Sequence, residues 1–229
     1  MSSIKATARR TGLIYVLFAL LGILGYVYVP NHFVVRDDAA ATASKIAAHA
    51  TLYRMGILAS LAGNLLFILL AVTLYELFRD VDRRKARLLV ALVCVGVAGE
   101  IVNLAIRSAP FIFSSEPSYL AVFSKAQLDG LALGYLRLGN FLSELLTSFW
   151  GLWLFPFGFL TIKSGYFPKI LGYLQFVAGI GYVVGCVTNV LALDVGPITS
   201  ALLAAFVIGE FPIILWMLVM GAKEPQPVS

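Results

Sequence analysis

The sequence predicts an all-α fold: a polytopic membrane helical bundle of six transmembrane helices, with both termini in the cytoplasm (N-in/C-in). Three observations carry that expectation: scarce charge, six long apolar runs, and a one-sided distribution of lysine and arginine. Of 229 residues, 60% are hydrophobic and 13% charged, and the mean hydropathy is +0.92. A soluble domain sits near about 45–50% apolar and about 25% charged. This chain therefore lacks the polar surface to coat a water-facing globule, and residues 1–229 are read as a single integral membrane domain.

A spanning helix needs ~20 largely apolar residues. The first run, Gly12–Val29, follows Lys5, Arg9 and Arg10. The second, Met55–Phe78, ends on the charged stretch Arg79–Arg87, and the third is Leu88–Ile106. The fourth, Leu131–Ile162, is long and contains Pro156, which is expected to kink it. The fifth is Ile170–Leu193 and the sixth Pro197–Gly221. Isolated runs of this length must satisfy their backbone internally, which favours helices over strands.

Charge sets the orientation. Eleven of the 17 basic residues fall on one side: Lys5, Arg9, Arg10, Arg79, Arg83, Arg84, Lys85, Arg87, Lys163, Lys169 and Lys223. The positive-inside rule makes that side cytoplasmic, and the cell's inner (plasma) membrane is the expected location. The first run is too long for a signal-peptide core and no small-residue cleavage site follows closely, so it is expected to be a retained helix. Runs three and four are the weakest, because they carry Glu100, Arg107, Arg137 and Glu144. Were neither to span, four helices would remain with the ends on the same side.

Two outer connections have content. Ala39–Ala50 reads as a helix extending the second span, with Asp37 and Asp38 at its N-terminal end. Ser108–Gly130 carries Pro110, Pro117, Phe111, Phe113 and Tyr119, and is expected to lie along the outer interface.

Several function classes are excluded. The net charge of +5 is spread over short loops, without the basic, aromatic-interleaved footprint of a nucleic-acid binder. Cys94 and Cys186 lie singly in apolar runs, so neither a disulfide framework nor a zinc site is expected. His32 and His49 belong to an outer connection, so no haem ligand pair is placed within the spans. No cofactor is expected. Phosphate-binding loop, His-Glu-x-x-His and Gly-x-Ser-x-Gly signatures are all missing from the sequence.

An ionisable side chain at mid-membrane costs about 2.5–3.5 kcal/mol on insertion scales. The third run carries Glu100, Asn103 and Arg107, and the fourth Arg137, Asn140 and Glu144, both at i, i+3 and i+7. Each trio therefore shares one helical stripe, and the antiparallel runs both read Arg, Asn, Glu from outside inward. Within a helix Arg and Glu lie ~10 Å apart, so pairing across helices is the expected arrangement. Arg54 at the outer end of the second span could join, with Asn64 deeper. The alternative is a structural network that fixes register, with small residues such as Ala59/Gly63, Gly130/Gly134 and Gly181/Gly185 packing the helices. Glu210, two residues before Pro212, is either a hydrogen-bonded acid at a kink or a proton-carrying group. The aromatic cluster Phe149, Trp150, Trp153, Phe155, Phe157 and Phe159 is expected to face lipid and the interface.

The run Gly158–Gly172 holds a Lys-Ser-Gly-x-x-Pro-Lys-x-Leu-Gly stretch, followed by Ala178-Gly179-Ile180-Gly181-Tyr182 and later by Gly209-Glu210 and Leu215-Trp216. Together with Arg9-Arg10-Thr11-Gly12 and Tyr53-Arg54-Met55-Gly56, these resemble an uncharacterised bacterial multi-pass membrane family, "domain of unknown function 4386". The resemblance implies a small multi-pass protein and brings no catalytic residues. The loop also has a physical reading as a tight cytoplasmic hairpin: Gly165 ends the fourth helix with positive φ, Pro168 starts the fifth, and Lys163 and Lys169 meet anionic headgroups.

Three functions fit. The leading expectation is a protein that binds or moves a small amphiphilic, charged ligand in an outer-half polar pocket lined by Arg54, Glu100, Asn103, Arg107, Arg137, Asn140 and Glu144. The second is an intramembrane acid–base enzyme, an isomerase or cyclase acting on a lipid or isoprenoid through Glu100, Glu144 or Glu210. The third is a structural or accessory subunit. The expected partners are membrane lipids and the amphiphilic ligand, with no nucleic acid.

Overall fold

Proline decides where the helices of this protein break. The computed structural model describes residues 3–115 and 118–224, so Pro117, in the connection between the third and fourth spans, lies outside the described residues. In order, the helices are α1 (Ile4–Gly22), a π-helical segment (Ile23–Tyr28), α2 (Val29–Phe33), α3 (Ala39–Ala48) and α4 (Ala50–Phe78). They continue with α5 (Arg83–Arg107), α6 (Ala109–Ser114), a 3-10 turn (Ser118–Leu120), α7 (Lys125–Leu152) and α8 (Leu154–Ser164). Last come α9 (Lys169–Val190), α10 (Gly196–Ile208) and α11 (Phe211–Val219). Among the described residues the protein is 84% helical and has no strand.

Among the described residues, six helical stretches are long and apolar enough to cross a membrane: Ile4–Phe33, Ala50–Phe78, Arg83–Ser114, Lys125–Ser164, Lys169–Val190 and Gly196–Val219. Four of these are interrupted just before a proline. A proline lacks an N–H, and its ring crowds the carbonyl four residues back. For Pro156 that carbonyl belongs to Leu152, where α7 ends; for Pro212 it belongs to Ile208, where α10 ends. For Pro110 it belongs to Ile106, one residue before α5 ends. In the first span the chain widens instead, and the Val29 N–H bonds to the Leu24 carbonyl five residues back.

The connection between the first and second spans is finer than the sequence suggests. Asp38 caps α3 by accepting the Ala41 N–H at 2.8 Å, and α3 then stops at His49 instead of running on into α4. The Gly165 hairpin has the expected geometry: Gly165 closes α8 at φ 68°, and Pro168 sits immediately before the first residue of α9.

The chain divides into two compact units. Unit 1 contains Met1–Leu17, Leu66–Ala98 and Glu144–Ser229; unit 2 contains Phe18–Leu65 and Gly99–Ser143. Within unit 1, α8 and α9 approach so closely that a Cβ on Gly158 would lie 2.7 Å from the Gly172 carbonyl oxygen. Gly151 and Gly179 repeat this one level along, where a Cβ on Gly151 would stand 2.7 Å from the Gly179 carbonyl. Of the glycines named from sequence, Gly130, Gly134 and Gly185 have no close neighbour where a Cβ would stand.

The aromatic cluster is corrected in part. Trp153 and Phe157 are fully buried, stacked at 5.4 Å, with Trp153 edge-on to Phe67 at 5.3 Å. They share a face because they are four residues apart, and Phe67 and Phe78 cover that face. Phe159 remains exposed, as expected of a lipid-facing ring.

Candidate functional site

Unit 2 buries three charged or amide side chains of α5 almost completely: Glu100 is 2% exposed, Asn103 0% and Arg107 6%. Arg107 is held by the helix break in the first span. In the π-helical register the Gly25 carbonyl would pair with the N–H of residue 30, and Pro30 has none. The Arg107 guanidinium supplies that donor, Nη2 to the Gly25 oxygen at 3.3 Å, and lies over the Tyr26 ring at 5.9 Å. The carbonyl of Arg107 is itself freed, because the Phe111 N–H turns to Ser108. The buried Tyr53 hydroxyl donates to it at 2.8 Å.

Asn103 donates to Ser143 at 2.8 Å and to Glu100 at 3.3 Å, while its Oδ1 has no hydrogen-bond partner. Asn64 donates to the Tyr26 hydroxyl at 2.9 Å and to the Ser60 carbonyl at 3.0 Å. The pairing of trio with trio expected from sequence is replaced by Glu100, Asn103, Arg107, Asn64 and Tyr26 together. Arg54 stands apart, over the Phe111 ring at 4.8 Å.

Arg137 and Asn140 form a second locus of unit 2. Arg137 pairs with Asp37 of the connection before α3, and Arg36 approaches the same carboxylate at 3.7 Å. A pocket of about 500 Å3 opens there, lined by Arg36, Asp37, Arg137 and Asn140 with Val34, Val35 and Leu133. Between Arg137 and Asn140 lies Gly139, whose Cβ, if present, would meet Arg107 Cγ at 2.9 Å and Asn103 Oδ1 at 3.1 Å. The close approach that glycine allows thus seats α7 against the buried trio.

Glu144 belongs to unit 1, where it accepts from Asn189 Nδ2 at 2.8 Å. Glu210, in the gap between α10 and α11, accepts from the Tyr15 hydroxyl and from the Tyr182 hydroxyl at 3.3 Å. The neighbouring Gly209 carbonyl accepts from the buried Gln175 at 3.4 Å. Sequence reasoning found Glu210 but missed Tyr15, Tyr182 and Gln175. The available signal was a hydroxyl or amide inside an apolar run, which needs a partner when buried. No group of three or more His, Cys, Asp or Glu side chains that could hold a metal occurs among the described residues.

Six long apolar helices, with charged groups inside them tied by hydrogen bonds, define a multi-pass α-helical membrane protein. Its family follows from a match over residues 10–221, nearly the whole chain: the protein belongs to the family described as "Domain of unknown function (DUF4386)". The chain is also similar to a protein of Archaeoglobus fulgidus named "Uncharacterized protein", 36% identical over 83 residues. That stretch is 35% of this chain and 47% of the relative, so the chain spans about half the length of the curated relative it matches. No solved structure matches.

Proposed function

We propose that this protein binds, and by binding moves or presents, a small amphiphile with an anionic head. The carrying observation is the charge balance of the unit 2 pocket: Arg36 and Arg137 face one carboxylate, Asp37, leaving one positive charge in excess beside Val34, Val35 and Leu133. Arg137 offers a planar fork suited to a carboxylate or phosphate, and the apolar side suits a short alkyl chain. Glu100, Asn103 and Arg107 support this reading as the buried base on which α7 rests through Gly139.

The test is titration of the purified protein in maltoside micelles with hexyl phosphate. Saturable binding is expected, weakened about tenfold in Arg137→Gln, since an unpaired anion–guanidinium contact costs at least about 1.4 kcal/mol. Equal affinity in wild type and variant removes the pocket from the function.

The same reading places the protein in a bacterial inner membrane with both ends inside, because the basic loops Arg79–Arg87 and Lys163–Lys169 share one side under the positive-inside rule. Single cysteines at Ser118 and Ser124, with Cys94 and Cys186 replaced, should react with an impermeant maleimide on intact cells. Reaction only after permeabilisation overturns that orientation.

A further inference from the structure

A pocket of opposite character lies wholly within unit 1. It has a volume of about 390 Å3 and is walled by α7, α9, α10 and the turn before α10. Glu144 and Asp194 line it, and no lysine, arginine or histidine does. We propose that this pocket binds a small free organic ammonium ion, a ligand class different from the anionic amphiphile of unit 2.

Glu144 faces the last turn of α9, where its hydrogen-bond partner, Asn189, is neutral. Among the described residues no cation pairs with its carboxylate. Two carboxylates facing one pocket with no cation between them repel each other, and a cation bound there relieves that repulsion. Tyr182 adds a second, independent feature. It lines the pocket while its hydroxyl is committed to Glu210, so its ring is what remains to offer, and an aromatic ring attracts ammonium groups.

Size and donor set decide which cation. The volume falls within the range of small-molecule sites, and the apolar wall contributed by Leu193 and Leu203 has no use for a bare ion. The donor grouping a metal ion would need does not occur among the described residues. A zwitterionic lipid head is disfavoured, because its phosphate would meet Glu144 and Asp194 with no cation to receive it.

Calorimetric titration with benzyltrimethylammonium tests the proposal in maltoside micelles, which carry no ammonium of their own. Wild type should bind it saturably and should not bind benzoate, an anion of related shape. Glu144→Gln should weaken binding at least about tenfold, the loss expected when a charge is left without its partner. Tyr182→Phe keeps the ring and should retain most of the affinity, whereas Tyr182→Leu should weaken it about fivefold. Should Glu144→Gln fail to fold, Asp194→Asn, at an exposed turn position, decides in its place by the direction of its effect. Absence of saturable binding to wild type, or carboxylate variants that bind as well as wild type, overturns the proposal. Displacement of the probe by phosphocholine overturns the assignment to a free cation.

Discussion

Side-chain hydrogen bonds join the spans in both units, but the close glycines of unit 2 face side chains, whereas in unit 1 the backbones themselves come together at glycines. Arg107, Asn103, Asn64 and Tyr53 each bridge one helical stretch of unit 2 to another. The packing of α7 and α8 on α9 in unit 1 depends on Gly151, Gly158, Gly172 and Gly179, where an added methyl group would crowd a facing carbonyl. The difference follows from what proline does in each place. Pro30 leaves a carbonyl that a buried arginine answers. Pro156 leaves a shallow break beside residues that pack as closely as backbone allows. Lipid tails offer no hydrophobic drive for helix association, so polar ties and close packing are the two means open to a membrane bundle.

Removing the arginine should break the unit 2 arrangement most severely. Arg107→Met keeps the length of the side chain but leaves the Gly25 carbonyl and the neighbouring polar groups without the guanidinium. A charged buried hydrogen bond and the stranded acceptor together correspond to about 3 kcal/mol. The measurement is thermal unfolding in maltoside micelles, compared with wild type. A loss below about 1 kcal/mol, the scale of one ordinary hydrogen bond, would mean that unit 2 too is held by packing.

Next in size is Gly158→Ala in unit 1. The added methyl would stand 2.7 Å from the Gly172 carbonyl and 3.2 Å from Gln175 Cβ. Backbone cannot yield as a flexible side chain does, so overpacking should destabilise by about 1–3 kcal/mol. Gly22→Ala is the counterpart in unit 2: nothing lies within 4 Å of its Cβ and its conformation is already helical. That change should stabilise by up to about 1 kcal/mol through helix propensity. Equal effects at the two sites, read from the same unfolding curves, would show that the approach of Gly158 to the Gly172 carbonyl is not what holds α8 against α9.

These contacts explain how far the sequence could be read. The six spans were legible because hydropathy alone marks them, and the breaks at Pro156 and Pro212 because proline acts on the carbonyl four residues back whatever surrounds it. The Gly165 hairpin was legible for the same local reason. Partners were not. Asp37 and Arg137 are 100 residues apart, Tyr15 and Glu210 are 195 apart, and Arg107 answers a backbone carbonyl that carries no mark in the sequence. Helical spacing showed that Glu100, Asn103 and Arg107 share a stripe, but could not say which helix faces it. Trp153 and Phe157 were misplaced for a related reason: an aromatic suits the membrane interface or the core, and only the rings of Phe67 and Phe78 decide for the core.

The smallest expected effect concerns a solvent-open polar tie of unit 1 at the ends of two helices. Asp82 precedes α5 and accepts the Lys85 N–H at 3.1 Å, while its other oxygen meets the half-exposed Lys163 ammonium at 3.0 Å. The Lys85 N–H first, and the Lys163 ammonium second, hold the Asp82 carboxyl below the usual carboxylate range. A depressed pKa means that the folded protein binds this proton less readily than the unfolded chain. Its stabilising contribution is therefore complete above the ordinary aspartate value, about 3.9, and is lost as pH falls through the lower folded-state value. Asp82→Asn keeps an oxygen able to cap the helix but removes the charge that Lys163 sees. Unfolding temperatures of wild type and Asp82→Asn should differ slightly at pH 7 and converge as the pH is lowered through and below that value. The pair is open to solvent, so added salt should narrow the difference at pH 7 as well. A gap that persists both in acid and in high salt would show that the Lys85 N–H, and not Lys163, is the partner that matters, and that the link from this turn to the end of α8 contributes nothing to unit 1.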